Sequence, residues 1–578
     1  MALGSLASKP AFLARLRPVL AARRLCAVPP PVSPQRTDEP SPYMQLLPAC
    51  LSGVAIGTYA SVPGVLGPHI ARTQGVLAQV ASDFSMSAIP PTVVSAGLVS
   101  GVLSIALAPH VKTLGARRIA LAGSVLFPLG FFALPACAAT VGHWPSFVAS
   151  TSVLGGVGFW CVYPQLPPLL TRWFRERQGL AVSIYFASFG SGLVVATSAI
   201  ERLLSAFRRA PTRLGGIDWL ESGAVRTGAG GERLADVDGA VCEVVVATQR
   251  DLSVSGFPNL EEGCFLLDGD NGVVQAMLAM AALNFAALHS AAWLLREPPD
   301  APAAADGGVA PAGDGLTLAE AQRQPHMALL AAGTFGICVS GIPFLTTGKL
   351  VCADLFSAAA LPPETVAAAV ATYPSIIGMA NLVGRAAWGP VSDRLGCGTA
   401  LAMMGVQFPA LLAMPAATSL LAADPATSLG LFRAAACVNV VVFAGTPVVL
   451  APAVRALFGA RDTTAIYQRL QALIVFASPA GAALLSAARD HSYLKHATAL
   501  AEACDEAAFA AAFGGGRDDL AALVKTNACT LPLLLRISPE GTPDPTPLLY
   551  NEAFTVLGAT SAIGASCFVA AFRIAPPR

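Results

Sequence analysis

Charged residues are scarce, at 12% of the 578 positions, against roughly 25% in soluble domains. A soluble enzyme of this size would have too few polar side chains to cover its surface, which excludes that class. No sign dominates either: the net charge is +1, which argues against a nucleic-acid partner. The chain lacks a Gly-rich phosphate loop followed by Lys, a His pair at zinc spacing and a Ser/His/Asp set. No metal, no cofactor and no catalytic function is therefore expected. Acids are absent altogether before Asp38, while Lys9, Arg15, Arg17, Arg23, Arg24 and Arg36 precede it. An Arg-rich, acid-poor start without an apolar core fits a mitochondrial or plastid transit peptide, and equally a cytoplasmic tail at the plasma membrane.

What the chain has instead is apolar sequence, 54% of it, with a mean hydropathy of +0.61. A bilayer crossing takes about 20 apolar residues. Such runs fall at 44–66, 88–109, 118–138, 147–170, 179–203 and 273–295, and again at 326–350, 366–390, 398–421, 430–453, 464–487 and 551–573. The expectation is an all-α membrane protein of twelve transmembrane helices in two six-helix bundles, covering 44–295 and 326–578, after a tail at 1–43. A Pro/Ala/Gly-rich linker at 296–325 joins them. The halves repeat each other. Gly115 and Gly396 stand 281 residues apart, as do Phe127-Pro128 and Phe408-Pro409, while Pro164 and Arg172 match Pro447 and Arg455 at 283. Such repeats mark transporters built from two related units.

Orientation follows from Lys and Arg in short loops. With both termini cytoplasmic, the inner loops hold Lys112, Arg117, Arg118, Arg172, Arg175, Arg177, Arg296, Arg323, Arg394, Arg455, Arg461 and Arg469. The outer ones hold Arg72, with Lys349 and Arg433 at their edges. Two inserts, 204–272 and 488–550, then face away from the cytoplasm. Each carries two cysteines, Cys242 with Cys264 and Cys504 with Cys529. One bridge per insert and free thiols are both open.

An Arg inside an apolar span is costly and reads as functional. Arg385 is one, in "NLVGRAAWGPVSDRLG" (381–396). The end of that stretch, Gly389, Asp393, Arg394 and Gly396, resembles the loop motif of the major facilitator superfamily. The resemblance implies a Gly for close helix approach and an Asp–Arg pair that holds one conformation. The first-half copy, "APHVKTLGARR", has Lys112 where the motif has Asp. More narrowly, "YPQLPPLLTRWFRERQGLAVSIYFASFGSG" (163–192) and "NLVGRAAWG" resemble oxalate/formate antiporters and related monocarboxylate transporters. That likeness implies that Arg385 grips a substrate carboxylate. A guanidinium suits the task, being a planar fork that stays charged. The alternative is that Arg385 snorkels to the headgroups. Span eleven has no Lys where the oxalate antiporters place a second cation, which favours a monocarboxylate over a dicarboxylate. The Trp of the animal-type carriers' first span is also missing.

Tyr59, Tyr163, Tyr185 and Tyr373 are candidates to line the central cavity. His289, deep in span six, is the one well-placed titratable group for proton coupling. The expected function is alternating-access transport of a small organic anion by a monomer in a lipid bilayer. A non-transporting receptor on the same fold, with the inserts as ligand-binding ectodomains, is the competing class.

Overall fold

The computed structural model describes residues 41–216, 225–227, 233–237, 240–298, 315–357, 361–396, 398–525, 529–539 and 541–574. The tail or transit peptide and the middle of the linker, 299–314, lie outside the described residues.

Among the described residues, twelve helices are long and apolar enough to cross a membrane. Spans one to six are Pro42–Ile70, Met86–Ala106, Ala116–Val141, Trp144–Trp173, Gln178–Phe207 and Val273–Leu294. Spans seven to twelve are Pro325–Thr346, Pro363–Leu395, Gly398–Leu420, Pro425–Phe458, Thr463–Ala503 and Thr546–Ile574. Each covers one of the apolar runs in the sequence. Loops 2–3, 4–5, 6–7, 8–9 and 10–11 share one face of the molecule, here the motif face. The inserts, following spans five and eleven, share the other, the insert face. The repeat is visible in the backbone: Gly115 and Gly396 both end a helix at positive φ, +78° and +50°. That backbone is open to Gly and strained for other residues.

Two spans are broken where proline withdraws an N–H from the helical ladder. Span one passes from α-helix (Leu46–Gly57) through a 3₁₀ turn (Thr58–Ala60) to a π-helical turn (Val62–Leu66) around Pro63. Span four stops at Val162, turns over Tyr163-Pro164-Gln165, and resumes at Leu166. Tyr59 and Tyr163 therefore sit at helix breaks, where π and 3₁₀ turns re-aim side chains.

Span eleven continues as helix to Ala503, well past the apolar run that ends at 487. "ARDHSYLKHATALAEA" has no Gly or Pro to stop it, and it buries Ser492, Ala497, Leu500 and Ala501 on one side. Arg489 and the Tyr550 hydroxyl both donate to Asp354 (3.2 and 2.7 Å), tying the ends of spans eleven and twelve to the segment after span seven.

The first insert departs from an all-helical reading. It holds an antiparallel sheet of β1 (Arg213–Gly215), β2 (Val225–Thr227), β3 (Arg233–Val237), β4 (Ala240–Ala247) and β5 (Gly263–Leu266), in the order β1-β5-β4-β3-β2. Val245, Ala247, Leu252, Phe257 and Phe265 pack on Val76 and Leu77 of loop 1–2. Asn271 donates to the His69 and Arg72 carbonyls (2.8 and 2.9 Å).

The same register corrects one cysteine pairing. Cys264 lies opposite Val246, so Cys242 is four residues along β4 from it. At about 3.3 Å per residue that is roughly 13 Å, beyond the reach of a disulfide, whose Cα atoms lie within about 7 Å. Cys504 and Cys529 are separate thiols but neighbours, and burial pushes the Cys529 thiol up, with Cys504 adding to it. Mild oxidation is therefore expected to join Cys504 to Cys529 and never Cys242 to Cys264, as read by non-reducing peptide mapping. Because the thiolate is the reacting form, joining should run faster at pH 9 than at pH 7. A Cys242–Cys264 peptide would contradict the sheet register.

Candidate functional site: a buried arginine between the bundles

Arg385 sits two-thirds of the way along span eight and is 6% exposed. Its Nε donates to Asn381 Oδ1, one turn earlier (2.9 Å), and its Nη1 is buried without a partner. The guanidinium lies over the rings of Phe189 (4.9 Å) and Phe186 (5.6 Å) of span five. Rings over a cation offset part of its desolvation, by about 0.5–2 kcal/mol each. No ion pair holds Arg385 among the described residues. The cost of burying a bare cation, several kcal/mol even after relaxation, is thus only partly offset. Snorkelling to the headgroups does not describe a guanidinium enclosed by span five.

Around it stand phenols from four other spans, one, four, five and eleven. The charge of Arg385 reaches Tyr59, Tyr163, Tyr185 and Tyr467. Tyr59 stacks among Phe131, Phe159 and Phe189, with centroids 5.1–6.1 Å apart. Tyr163 packs on Phe159 (4.7 Å) and Phe189 (5.0 Å). The Tyr185 hydroxyl donates to the Tyr163 carbonyl (3.1 Å), and Tyr467 donates to Gln471 (3.0 Å). Arg385 and Gln471 both bear on the Tyr163 phenol. Tyr59, Tyr163 and Tyr185 thus stand near Arg385. Tyr467 and Gln471 were missed, although two Gln residues in an apolar span (Gln468 and Gln471) were a signal. Arg469 lies two residues from each of Tyr467 and Gln471, on the opposite face of the helix.

Two candidates fall elsewhere. Tyr373 is three turns from Arg385 on the same helix, bonded to the Phe344 carbonyl (3.0 Å) and packed on Phe432. Its hydroxyl fills the space over Gly348. His289 faces span three and the lipid side. Its Nε2 accepts from the Trp293 indole (2.9 Å), which leaves the proton on Nδ1, beside Ser124 Oγ (3.1 Å). A doubly engaged ring outside the cluster is a packed residue.

Between Arg385 and the motif face the bundles are bonded together. Gln468 donates to Gln165 (2.9 Å), and Arg455 donates to the Thr171 carbonyl at the end of span four (2.9 Å). Asp393 does not pair with Arg394. It accepts from the Gly179 and Leu180 backbone N–H groups (2.7 and 2.8 Å), capping span five across the bundle interface, where the helix dipole favours an anion. Gly179 and Gly389 meet there with no room for a side chain on either. Lys112 bonds Asp462 at the head of span eleven (2.6 Å). Asp462 stands 283 residues after Gly179, and Asp393 stands 281 after Lys112. One contact is therefore the pseudo-symmetric copy of the other, with the acid moved from the loop to the helix end. Asp462 also accepts from Leu318 N–H (2.9 Å), which docks the end of the linker.

Neither a family model nor a curated protein matches the sequence. Solved structures do. The chain is similar to the E. coli fucose:proton symporter, at 11% identity over 90% of this chain and 98% of that one, TM-score 0.51. It is similar to a major facilitator superfamily transporter in the outward conformation, at 11% identity over 90% and 99%, TM-score 0.50. It is also similar to a bacterial homologue of the iron transporter ferroportin in the outward-facing state, at 10% identity over 92% and 99%, TM-score 0.51. At such identities the likeness is one of fold.

Proposed function

We propose that this chain, which has the major facilitator superfamily fold of multi-pass membrane proteins, transports a small organic anion by alternating access, with Arg385 holding the substrate carboxylate. The observation that carries the reading is a buried guanidinium with an unpartnered Nη1, ringed by aromatics, at the interface of the two bundles. A carboxylate would supply the missing acceptor and neutralise the charge in one step. Tyr59, Tyr163, Tyr185 and Tyr467 would enclose the body of a small acid, and one cation with no second beside it fits a monocarboxylate. The narrower resemblance to oxalate/formate and monocarboxylate carriers points the same way.

Contacts hold the bundles together at the motif face, which favours entry of substrate to Arg385 from the insert face. Two of the similar solved structures are likewise outward-facing. With the motif face cytoplasmic, as the basic loops suggest, opening to the cytoplasm must break the Asp393 cap and the Lys112–Asp462 pair together. Gly389, Asp393 and Lys112 are then gating residues. Gly396 ends the helix that carries Asp393, and exposed Arg394 takes no part in the cap. With no acid among the residues gathered at Arg385 and with His289 outside the cluster, exchange or facilitated diffusion is favoured over proton symport.

The test is uptake of labelled acetate, formate, lactate, pyruvate and oxalate by the full chain in vesicles, with and without internal substrate and with an imposed pH gradient. Saturable monocarboxylate uptake, faster with internal substrate and indifferent to the gradient, is expected. Accumulation driven by the gradient would overturn the exchange reading. Absence of any flux, with ligand bound to the inserts, would favour a receptor.

A further inference from the structure

At the motif face, well away from Arg385, the ends of spans three and six flank an open pocket of about 690 Å³. Arg117, Arg118 and Arg296 line it, with Thr113, Gly115 and Glu297. Glu297 is the single acid, and its carboxylate is already engaged, accepting from the Ala116 N–H (2.9 Å). None of the three arginines is in an ion pair among the described residues. The backbone of Arg296 is pinned on both sides: its N–H donates to Gln45 (2.9 Å) and its carbonyl accepts from the Trp173 indole (3.1 Å). The position of that side chain at the cavity wall is therefore built rather than incidental.

The wall continues into the membrane. Arg117 lies 4.8 Å over the Trp293 ring, which is 59% exposed. Below Trp293 on the same helix face come His289 and Phe285, bonded and stacked in turn. Leu114 and Leu294 beside the cavity are exposed as well. A cluster of cations thus opens directly onto an apolar, lipid-facing stripe topped by an interfacial Trp.

The general excess of inner-face positive charge does not account for this grouping. Arg117 and Arg118 have Gly398 and Thr399 as their copies in the second half, 281 residues on. The pocket belongs to one bundle alone.

We propose that this pocket binds the phosphate headgroup of an anionic phospholipid, whose acyl chains lie along Trp293 and the exposed face of span six. Basic pockets between spans on a cytoplasmic face recognise anionic headgroups, each Arg near such a surface contributing on the order of 1 kcal/mol. Phosphate is the shared chemistry with soluble anions, and the apolar stripe is what selects a lipid.

Trp293 makes the site measurable. The full chain is placed in phosphatidylcholine vesicles containing 20 mol% brominated phosphatidylglycerol, or the same amount of brominated phosphatidylcholine. Quenching assigned to Trp293 is the part lost in Trp293→Phe. Phosphatidylglycerol is expected to occupy the site roughly thirtyfold more readily than phosphatidylcholine, given two net charges. The exposed triple variant Arg117→Gln/Arg118→Gln/Arg296→Gln should lose that preference. The matching Lys triple should keep most of it, and Arg461→Gln, outside the pocket, all of it. Equal quenching by the two lipids would overturn the proposal. So would a preference cancelled by 10 mM inorganic phosphate at constant ionic strength, which would reassign the pocket to a soluble anion.

Discussion

Arg385→Ala is expected to abolish carboxylate flux while the protein still folds and inserts. Truncating one partner of a buried charged pair costs about 2–5 kcal/mol, which is roughly 30-fold to several thousandfold in affinity. Arg385→Lys should recover little, because an ammonium presents no planar fork and cannot reproduce the guanidinium's stacking on Phe186 and Phe189. Stability should move the other way. The protein carries a desolvated cation whose Nη1 has no partner, so the Ala variant should melt no lower than the parent. Added substrate should raise the melting temperature of the parent and leave the variant unmoved. Near-parental uptake by Arg385→Ala would remove the guanidinium from the site. A collapse of folding would make it a structural residue.

The twelve spans were legible because length and apolarity alone define them, and Arg385 because a charge in such a run has few innocent explanations. Rotation about each helix was not legible. Transmembrane helices are apolar on nearly every side, so sequence gives little periodicity to separate the face toward Arg385 from the face toward lipid. Tyr373 and His289 were misplaced for that reason: both sit in the right spans, one on the wrong turn and one on the wrong face. The Lys112–Asp462 contact joins residues 350 apart in sequence, which no local motif announces. The internal repeat contained it all the same, since the offsets of 281 and 283 that align the loops and helices also place Asp462 at the position of Gly179. The first insert was read as a non-cytoplasmic segment with two cysteines, without secondary structure of its own. "VCEVVVA" in β4 is a run of β-branched residues that marks a strand once the search is for period two rather than for length.

The second large effect is expected at the Gly179–Gly389 crossing, and it ranks the two kinds of contact that close the motif face. A Cβ at Gly389 would overlap the Gly179 carbonyl and the Ser183 hydroxyl. Backbone cannot yield there without moving span five away from span eight. Overpacking of this kind costs about 1–3 kcal/mol or more, all of it borne by the closed state. Gly389→Val should therefore shift the balance toward an open motif face by roughly 5- to 150-fold and stall uptake. The Lys112–Asp462 pair is weaker. The lysine side chain is 58% exposed, and exposed pairs contribute about 0–1 kcal/mol. Lys112→Asp should slow transport less than tenfold, and the exchange Lys112→Asp/Asp462→Lys should restore most of it. Spin labels at Arg118 and Arg461, one on each bundle, read the outcome directly. They should separate in Gly389→Val, separate partly in Lys112→Asp, and return to the parental distance in the exchanged pair. If the charge variant opened the face more than the valine, the closure would be electrostatic, and the glycines would merely permit a contact made by others.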